Sequence, residues 1–162
     1  PYISTSGERA PFFNPNARAQ FFGISNKADK YHLLHSVYEG VALSIKDCLQ
    51  GMKDLGKIFL GGGGAKSYYW AQMISDCIGK EVIICEGNEF AAKGAALAAG
   101  TAIGVYKDIV EASKNTLRIK KHFMPNKNKG NIYENIYTLY KAIRESNEAL
   151  WELRQSFIDS NY

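Results

Sequence analysis

The sequence predicts an α/β fold, because short apolar runs that suit buried strands alternate with segments whose apolar residues recur at helical spacing. Two of these runs, residues 57–60 and 82–85, lie on either side of one helical segment. Strands that are joined through a helix pair in parallel, and their connection is a right-handed crossover. With 46% hydrophobic residues among 162, the chain has enough apolar material for one packed core.

Composition argues against several classes of protein. The formal net charge is +4, but the lysines and arginines are scattered, which argues against a nucleic-acid partner. The longest weakly polar stretch, residues 94–106, is too short to span a bilayer, so we expect no membrane association. Cys48, Cys77 and Cys85 lie far apart inside apolar patterns, which is typical of reduced core thiols in a cytoplasmic protein.

The first third of the chain predicts a loop, a strand and a long helix. Three of the four prolines fall within residues 1–15, so this segment predicts an irregular loop, and its lack of an initial methionine indicates the inside of a longer protein. Residues 19–24 predict a short strand. Ser25 or Asn26 would cap the helix that follows, in which apolar residues at steps of three and four over 31–48 predict an inner face.

The remaining elements are predicted in order along the chain. They are the strand at 57–60, a glycine loop at 61–64, a helix that stops at Gly79, the strand at 82–85, a helix over 89–104, an extended segment at 116–123, a polar turn at 127–131 and a helix over 133–158. The helix over 89–104 is unusually rich in alanine and glycine, so we expect it to pack very close to its neighbours.

The glycine run 61–64 is the strongest indication of a ligand site. Glycine lets the backbone approach a ligand closely, and the start of the following helix attracts anions. A P-loop requires Gly-Lys followed by Ser or Thr, which neither Gly-Lys pair of the chain, at 56–57 and 79–80, provides. The dinucleotide fingerprint requires Gly or Ala where this chain has Lys66 or Ser67. We infer a loop that holds the nucleoside end of a nucleotide or supports one side of its phosphates.

Several separated segments together resemble the C-terminal domain of the FGGY carbohydrate kinases. Residues 19–24 and 32–39, separated by seven residues, fit the C-terminal signature of that family at every constrained position. Residues 7–11 are similar to a segment of the xylulokinase and gluconokinase branches. Residues 62–65, with Ser67 and Trp70 beyond them, resemble the adenosine-binding turn of the family. Residues 93–96 resemble the small-residue helix that follows this turn.

The resemblance implies an actin-like ATPase fold (ribonuclease H-like) of two domains, with ATP in the cleft between them. Residues 1–162 would form the C-terminal nucleotide-binding domain, and the N-terminal sugar-binding domain would supply the general-base aspartate and the phosphate-gripping hairpins. We therefore expect no catalytic residue in this chain. The implied reaction transfers the γ-phosphoryl of ATP to a sugar hydroxyl with Mg²⁺ as cofactor.

The same resemblance sets the expected substrate and partners. A pentulose such as xylulose is favoured, with gluconate or another polyol as the alternative. The partners would be ATP, the sugar and the protein's own N-terminal domain, and a homodimer is compatible with the resemblance. The chain alone is expected to bind adenine nucleotides weakly and to phosphorylate no sugar.

The residues expected to bind the nucleotide have alternative structural roles. A glycine run also forms tight turns, Ser67 would cap its helix, and Lys66 would equally suit solvent. Tyr68 and Tyr69 would either flank the adenine or belong to the core. The predicted nucleotide-binding residues are Gly62, Gly63, Gly64, Ala65, Lys66 and Ser67.

Other polar residues have weaker links to function. Glu8 and Arg9 would face the interdomain cleft by resemblance, although a local ion pair is an equally good interpretation. His32 and His35 lie three residues apart on a helix, but no third metal ligand accompanies them, so we interpret them as structural and expect no metal site. Glu39 is interpreted as architectural, and the lysines over 120–129 as a solvated face.

Two other functions remain open from the sequence. A non-catalytic, actin-like module that binds ATP would need the same loop, and the sequence ahead of this chain would distinguish it from a kinase. A dinucleotide-binding oxidoreductase domain is disfavoured by the failed glycine spacing.

Overall fold

The computed structural model describes residues 6–161. The elements are α1 Lys30–Cys48, β1 Ile58–Leu60, α2 Tyr68–Ile78, β2 Val82–Cys85, α3 Phe90–Ala102, α4 Ile109–Thr116, β3 Ile119–Phe123 and α5 Gly130–Asn161, with 3₁₀ turns at Gly63–Lys66 and Lys127–Lys129. The loop predicted over residues 1–15 falls partly on residues 1–5, which lie outside the described residues. Residues 6–15 contain no helix and no strand, in agreement with the prediction.

The three described strands form one sheet in the order β1-β2-β3. β1 runs parallel to β2, with Ile58 opposite Val82 and Leu60 opposite Ile84, so the predicted parallel pair is confirmed. β3 pairs antiparallel with the other edge of β2 and lies within the predicted extended segment. All four residues of the central strand β2 are buried, which explains its uninterrupted apolar run.

The prediction of a strand over residues 19–24 is wrong. In the described part of the chain, pairing at this segment is limited to a single bridge residue, Gln20. Phe21, Phe22 and Ile24 are exposed rather than covered. An apolar segment forms a strand only where a neighbouring strand pairs with its backbone N–H and C=O groups, and the sequence alone did not reveal whether one was present.

The predicted long helix is confirmed as α1, but its cap is Asp29 rather than Ser25 or Asn26. The Asp29 carboxylate accepts hydrogen bonds from the backbone N–H groups of Tyr31 and His32, each at 2.9 Å. These bonds, led by that of His32, hold the pKa of Asp29 below its usual value. Ser25 instead closes its own local turn, since its Oγ accepts from the backbone N–H of Lys27.

The buried face of α1 is rotated from the predicted one. Tyr31 and Leu34 are exposed, whereas Leu43, Lys46 and Asp47 are buried. The two charged residues are covered because they have partners on other helices. Lys46 Nζ donates to the Cys77 carbonyl of α2 at 3.1 Å and pairs with a glutamate of α5. Polar partners, which the apolar pattern does not show, therefore set the orientation of this helix.

The alanine- and glycine-rich helix is confirmed as α3, but its close packing is not. None of its residues is buried within the described part of the chain. Helix α4, which was not predicted, follows it. Asp108 caps its start by accepting the backbone N–H of Glu111, and the Glu111 carboxylate accepts the backbone N–H of Lys107, the residue before the cap, both at 2.8 Å. Asp-x-x-Glu was the signal that the sequence interpretation missed.

The predicted C-terminal helix is confirmed as α5, which is longer than expected at 32 residues. It covers α1 and α2 with a face of aromatic side chains, in which Tyr133, Tyr137, Tyr140 and Trp151 are buried. Phe12 stacks on Trp151 with parallel rings 6.2 Å apart, which fixes the irregular N-terminal segment to the helix. Within residues 6–161, no helix combines the length and the apolar composition that crossing a membrane requires.

The three cysteines are free thiols, and the predicted core positions are confirmed for Cys77 and Cys85. Burial raises the pKa of the Cys77 thiol from 9.0 to about 12. At pH 8 its thiolate fraction is then roughly a thousandfold below that of an ordinary thiol, and only the thiolate reacts. We expect iodoacetamide to leave Cys77 unmodified in the native protein and to alkylate it in urea, as peptide mass spectrometry would show. Equal modification in both conditions would mean that this core is open.

Candidate functional site

Two loops meet at one edge of the sheet. The glycine loop leaves the carboxyl end of β1, and residues 86–88 leave the carboxyl end of β2. Because these strands are parallel, both loops lie on the same side, which is where α/β sheets bind ligands. A cavity of about 380 Å³ separates them, lined by Gly62, Ala65, Lys66, Ile84, Cys85, Glu86, Gly87, Asn88, Phe90 and Lys120.

Gly61 and Gly64 are required by packing. A Cβ at Gly61 would lie 3.1 Å from the Phe90 ring, and one at Gly64 would lie 3.0 Å from the Trp70 ring. Both contacts are too short for a side chain to be added without movement of a bulky ring. The interpretation of the run as a tight turn therefore holds at these two positions.

Gly62 and Gly63 face open space. Among the residues that the structure describes, a Cβ at either position would meet no atom within 4 Å apart from its chain neighbours. Gly62 is nevertheless required by its backbone, since its φ is +75°. Gly63 has neither a steric nor a conformational reason to be glycine, so the space in front of it is available to a ligand.

The residues after the glycines continue this open surface. Ser67 caps α2, because its Oγ accepts the Trp70 backbone N–H at 3.3 Å. Lys66 is exposed and lines the cavity, while Ala65 packs against the core. The first N–H groups of a helix have no partner within it and carry its positive end, so this segment suits a negatively charged group.

Tyr68 and Tyr69 point to opposite sides of the loop, and neither is a core residue. The Tyr68 ring lies 5.7 Å from Phe123 of β3, and the Lys121 ammonium lies 4.4 Å from its centroid. The Tyr69 hydroxyl instead shares a hydrogen bond of 2.6 Å with Nδ1 of His35 on α1. The expectation that aromatic residues here belong to the core is therefore wrong.

Glu8 and Arg9 lie in a small closed loop. The backbone groups of Glu8 pair in both directions with those of Asn14, at 2.7 and 2.9 Å. The Glu8 carboxylate also accepts the backbone N–H of Arg9 at 3.0 Å, and Arg9 itself is exposed. Glu8 thus has a local structural role, and a cleft-facing role for either residue stays a prediction.

The histidines and lysines have specific local partners. His32 Nδ1 lies 2.6 Å from the Asp29 carboxylate at the start of α1, which agrees with its structural interpretation. Within residues 6–161, no group of three potential metal-binding side chains occurs. The description of the lysines over 120–129 as a solvated face is incomplete, because Lys129 pairs with the buried Asp76 at 3.0 Å and Lys120 lines the cavity.

Sequence reasoning missed the residues that β2 and β3 bring to the cavity. Glu86 and Asn88 follow the carboxyl end of β2, next to the glycine loop, and the parallel pairing that was predicted could have identified them. Lys120 arrives on β3, whose position in the sheet was not predicted. Finding it required the antiparallel pairing of β3 with β2.

A second cavity of about 360 Å³ lies beyond Phe90, between the glycine loop, α3 and α4. Its walls include Phe59, Leu97 and Leu117, and it is largely apolar. Lys93 lies at the edge of this cavity, and its Nζ already donates a hydrogen bond to the Thr116 carbonyl at 2.6 Å. This cavity depends on α4, which was not predicted, so its presence could not be anticipated.

Comparison with known proteins is consistent with this architecture. Residues 1–103 match the model of the FGGY family of carbohydrate kinases, C-terminal domain. The chain is 30% identical over 154 residues to a xylulose kinase of Staphylococcus epidermidis, covering 93% of the chain and 31% of that relative. It is also 30% identical over 155 residues to an erythritol kinase of Brucella abortus, covering 94% of the chain and 30% of that relative.

The fold also matches solved structures. The ligand-bound xylulose kinase of Lactobacillus acidophilus superposes with a TM-score of 0.84 at 24% identity, covering 91% of this chain and 31% of that one. At this identity the match shows the fold alone. The chain thus spans about a third of the length of the proteins it matches.

Proposed function

This chain belongs to the FGGY family of carbohydrate kinases, and we propose that the full-length protein transfers the γ-phosphoryl group of ATP to a hydroxyl of a sugar. Residues 1–162 would form its C-terminal, nucleotide-binding domain with an actin-like fold. The observation that carries the proposal is the open surface at Gly62 and Gly63, on the edge where two parallel strands end. Family membership indicates the chemistry, and the open surface supports binding of ATP at this edge of the sheet.

The glycine loop and the start of α2 would hold the nucleotide. Without Cβ atoms at Gly62 and Gly63, the nucleotide can lie against the backbone, and the N-terminal N–H groups of α2 favour its negative charge. Lys66 adds a cation beside the same cavity. Gly64, Ala65 and Ser67 complete the surface by fixing its shape, through the Trp70 contact, core packing and the cap respectively.

Mg²⁺ would neutralise charge that develops on the transferred phosphoryl group. The described residues do not form a cage for it, because no three potential ligands lie together within residues 6–161. In our proposal the ATP phosphates and the rest of the protein hold the ion. The domain described here would hold the nucleotide in position, and such positioning accounts for a large part of the catalysis of phosphoryl transfer.

The remaining catalytic groups would lie in the N-terminal domain. We place the general-base aspartate and the phosphate-gripping hairpins there, with Glu8 and Arg9 at the cleft between the domains. Cleft closure would bring the bound ATP to the sugar. The chain alone would then be inactive. A homodimer is a further proposal, which sedimentation of the full-length protein would test.

The proposed substrate is a pentulose such as xylulose. It is supported by a relative named xylulose kinase, while a relative named erythritol kinase supports the alternative of gluconate or another polyol. The proposed location is the cytoplasm, where such a reaction has its supply of ATP.

An ADP-coupled assay of the full-length protein tests both the reaction and the substrate. With D-xylulose, D-gluconate, erythritol and glycerol compared, we expect the highest kcat/KM for D-xylulose and no turnover by residues 1–162 alone. A higher value for another substrate would reassign the sugar. Turnover by the 162-residue chain would disprove the external base, and ATP binding without any turnover would favour a non-catalytic module.

A further inference from the structure

Tyr69 is an exposed aromatic residue in the first turn of the helix that follows the glycine loop. It is the second residue of α2, which begins at Tyr68 after the Ser67 cap. Its side chain remains 60% exposed, although large aromatic side chains contribute most to stability when they are buried. Packing within the described residues therefore does not explain the position of this ring.

The Tyr69 ring is nevertheless held in place from α1. Its hydroxyl shares a hydrogen bond of 2.6 Å with His35 Nδ1, and the other ring nitrogen of His35 lies 3.8 Å from the Glu39 carboxylate. The rings of His35 and Tyr38 approach Tyr69 at steep interplanar angles of 66° and 79°. Neither neighbour lies flat on Tyr69, so a face of its ring stays available.

The two aromatic residues that flank Tyr69 are less exposed. Tyr68 is 39% exposed, and Phe123 and the Lys121 ammonium lie against its ring. Trp70 is half-buried, packs against Gly64, and donates its indole N–H to the Tyr38 carbonyl at 3.1 Å. Of these three consecutive aromatic residues, Tyr69 is the most exposed, and its hydroxyl is held by His35.

We propose that Tyr69 is the surface on which the adenine base of ATP stacks, and that His35 positions its ring for this contact. The inference rests on the proposed binding of the nucleotide at the glycine loop. Nucleobases stack on aromatic side chains, and a ring fixed before binding loses less conformational entropy when the base arrives. The phosphates would lie near the start of α2 and the base on Tyr69. Both parts of the nucleotide would then contact one continuous segment, residues 62–69.

Substitution of the ring in the full-length protein tests the stacking contact. We expect Tyr69→Leu to weaken binding of adenosine and ADP about tenfold in isothermal titration calorimetry, with tripolyphosphate binding unchanged. In the kinase assay the KM for ATP would rise by the same factor, while kcat and the KM for the sugar stay constant. Tyr69→Phe, which keeps the ring, would retain most of the affinity. Tyr68→Leu is the matched control and would leave adenosine binding unchanged.

A double-mutant cycle tests the role of His35. Without its bond to Tyr69, the ring has more freedom to lose on binding, so His35→Ala is expected to raise the KM for ATP about threefold. In a Tyr69→Phe background, which has no hydroxyl to hold, His35→Ala would have no further effect. A purely structural histidine would instead lower the melting temperature in both backgrounds and leave the KM for ATP unchanged, which would overturn its positioning role.

The outcomes separate this inference from the function on which it rests. If Gly63→Val weakens ATP binding but Tyr69→Leu does not, the stacking contact is wrong and the nucleotide site stands. If neither substitution changes ATP binding, both are wrong. Equal losses of adenosine binding in Tyr68→Leu and Tyr69→Leu would also overturn the stacking contact, since the effect would then not be specific to the held ring.

Discussion

Gly63→Val is expected to lower kcat/KM for ATP about a hundredfold in the full-length protein and to leave its folding intact. A Cβ here would meet no atom of residues 6–161 within 4 Å apart from its chain neighbours, but the side chain would fill the space proposed for the nucleotide. Displacing a reactant by about 1 Å costs on the order of a hundredfold in rate. Because the φ of Gly63 is not in the left-handed region, the free energy of unfolding should change by about 0.5 kcal/mol or less.

Gly56→Val is the matched control for this prediction. Gly56 is also exposed, has no left-handed φ, and would also place a Cβ in open space, but it lies before β1, at the opposite end of that strand. We expect it to change neither kcat/KM for ATP nor the melting temperature. If Gly63→Val retains full activity with ATP, the glycine loop does not contact the nucleotide. Equal losses in both variants would show general damage rather than a blocked site.

The central elements could be predicted from the sequence because their signals are local. The apolar run of β2 predicted a strand with the observed bounds, since a strand covered on both faces has no polar positions. The end of α2 was predicted at Gly79, which has the left-handed φ of +67° that glycine adopts readily. The parallel pairing followed from the order of elements alone.

The wrong predictions involve partners that are distant in sequence. Residues 19–24 have the composition of a strand, but pairing depends on a neighbouring strand and not on composition. The orientation of α1 follows from Lys46 and Asp47, whose partners lie on α2 and α5. The spacing of apolar residues along a helix contains no information about polar partners on other helices. An apolar pattern therefore assigns paired, buried charged residues to the exposed side of the helix.

The candidate site shows the same division. The position of the glycine loop after a buried strand was predictable, and so was the Ser67 cap of the next helix. The different roles of the four glycines were not, because they depend on where Phe90 and Trp70 lie. The different surroundings of Tyr68 and Tyr69 could not be predicted either, because they depend on which element packs on each side of α2.

Asp47→Ala is expected to reduce the free energy of unfolding by about 3–5 kcal/mol, because it removes one partner of a buried ion pair. The Asp47 carboxylate accepts the Tyr137 hydroxyl at 2.6 Å and pairs with Arg144 Nη1. The side chains of Asp47 and Arg144 are only 6% and 15% exposed. Alanine would leave the guanidinium with only the exposed Glu145 carboxylate, 3.4 Å from Nη2, and would leave the buried Tyr137 hydroxyl without its acceptor. Urea denaturation followed by fluorescence of Trp70 and Trp151 would measure the loss.

Two further variants distinguish an unpaired charge from simple loss of contact. Replacing both partners, as in Asp47→Leu with Arg144→Met, should cost less than Asp47→Ala alone, because apolar residues of similar size remove the charges together. Asp159→Ala serves as the surface control on α5, where its carboxylate accepts only a glutamine amide at an exposed position, and should change stability by about 0.5 kcal/mol or less. If the double variant is less stable than Asp47→Ala, the pair itself stabilises the junction of α1 and α5, and burial of an unpaired guanidinium is not the dominant cost.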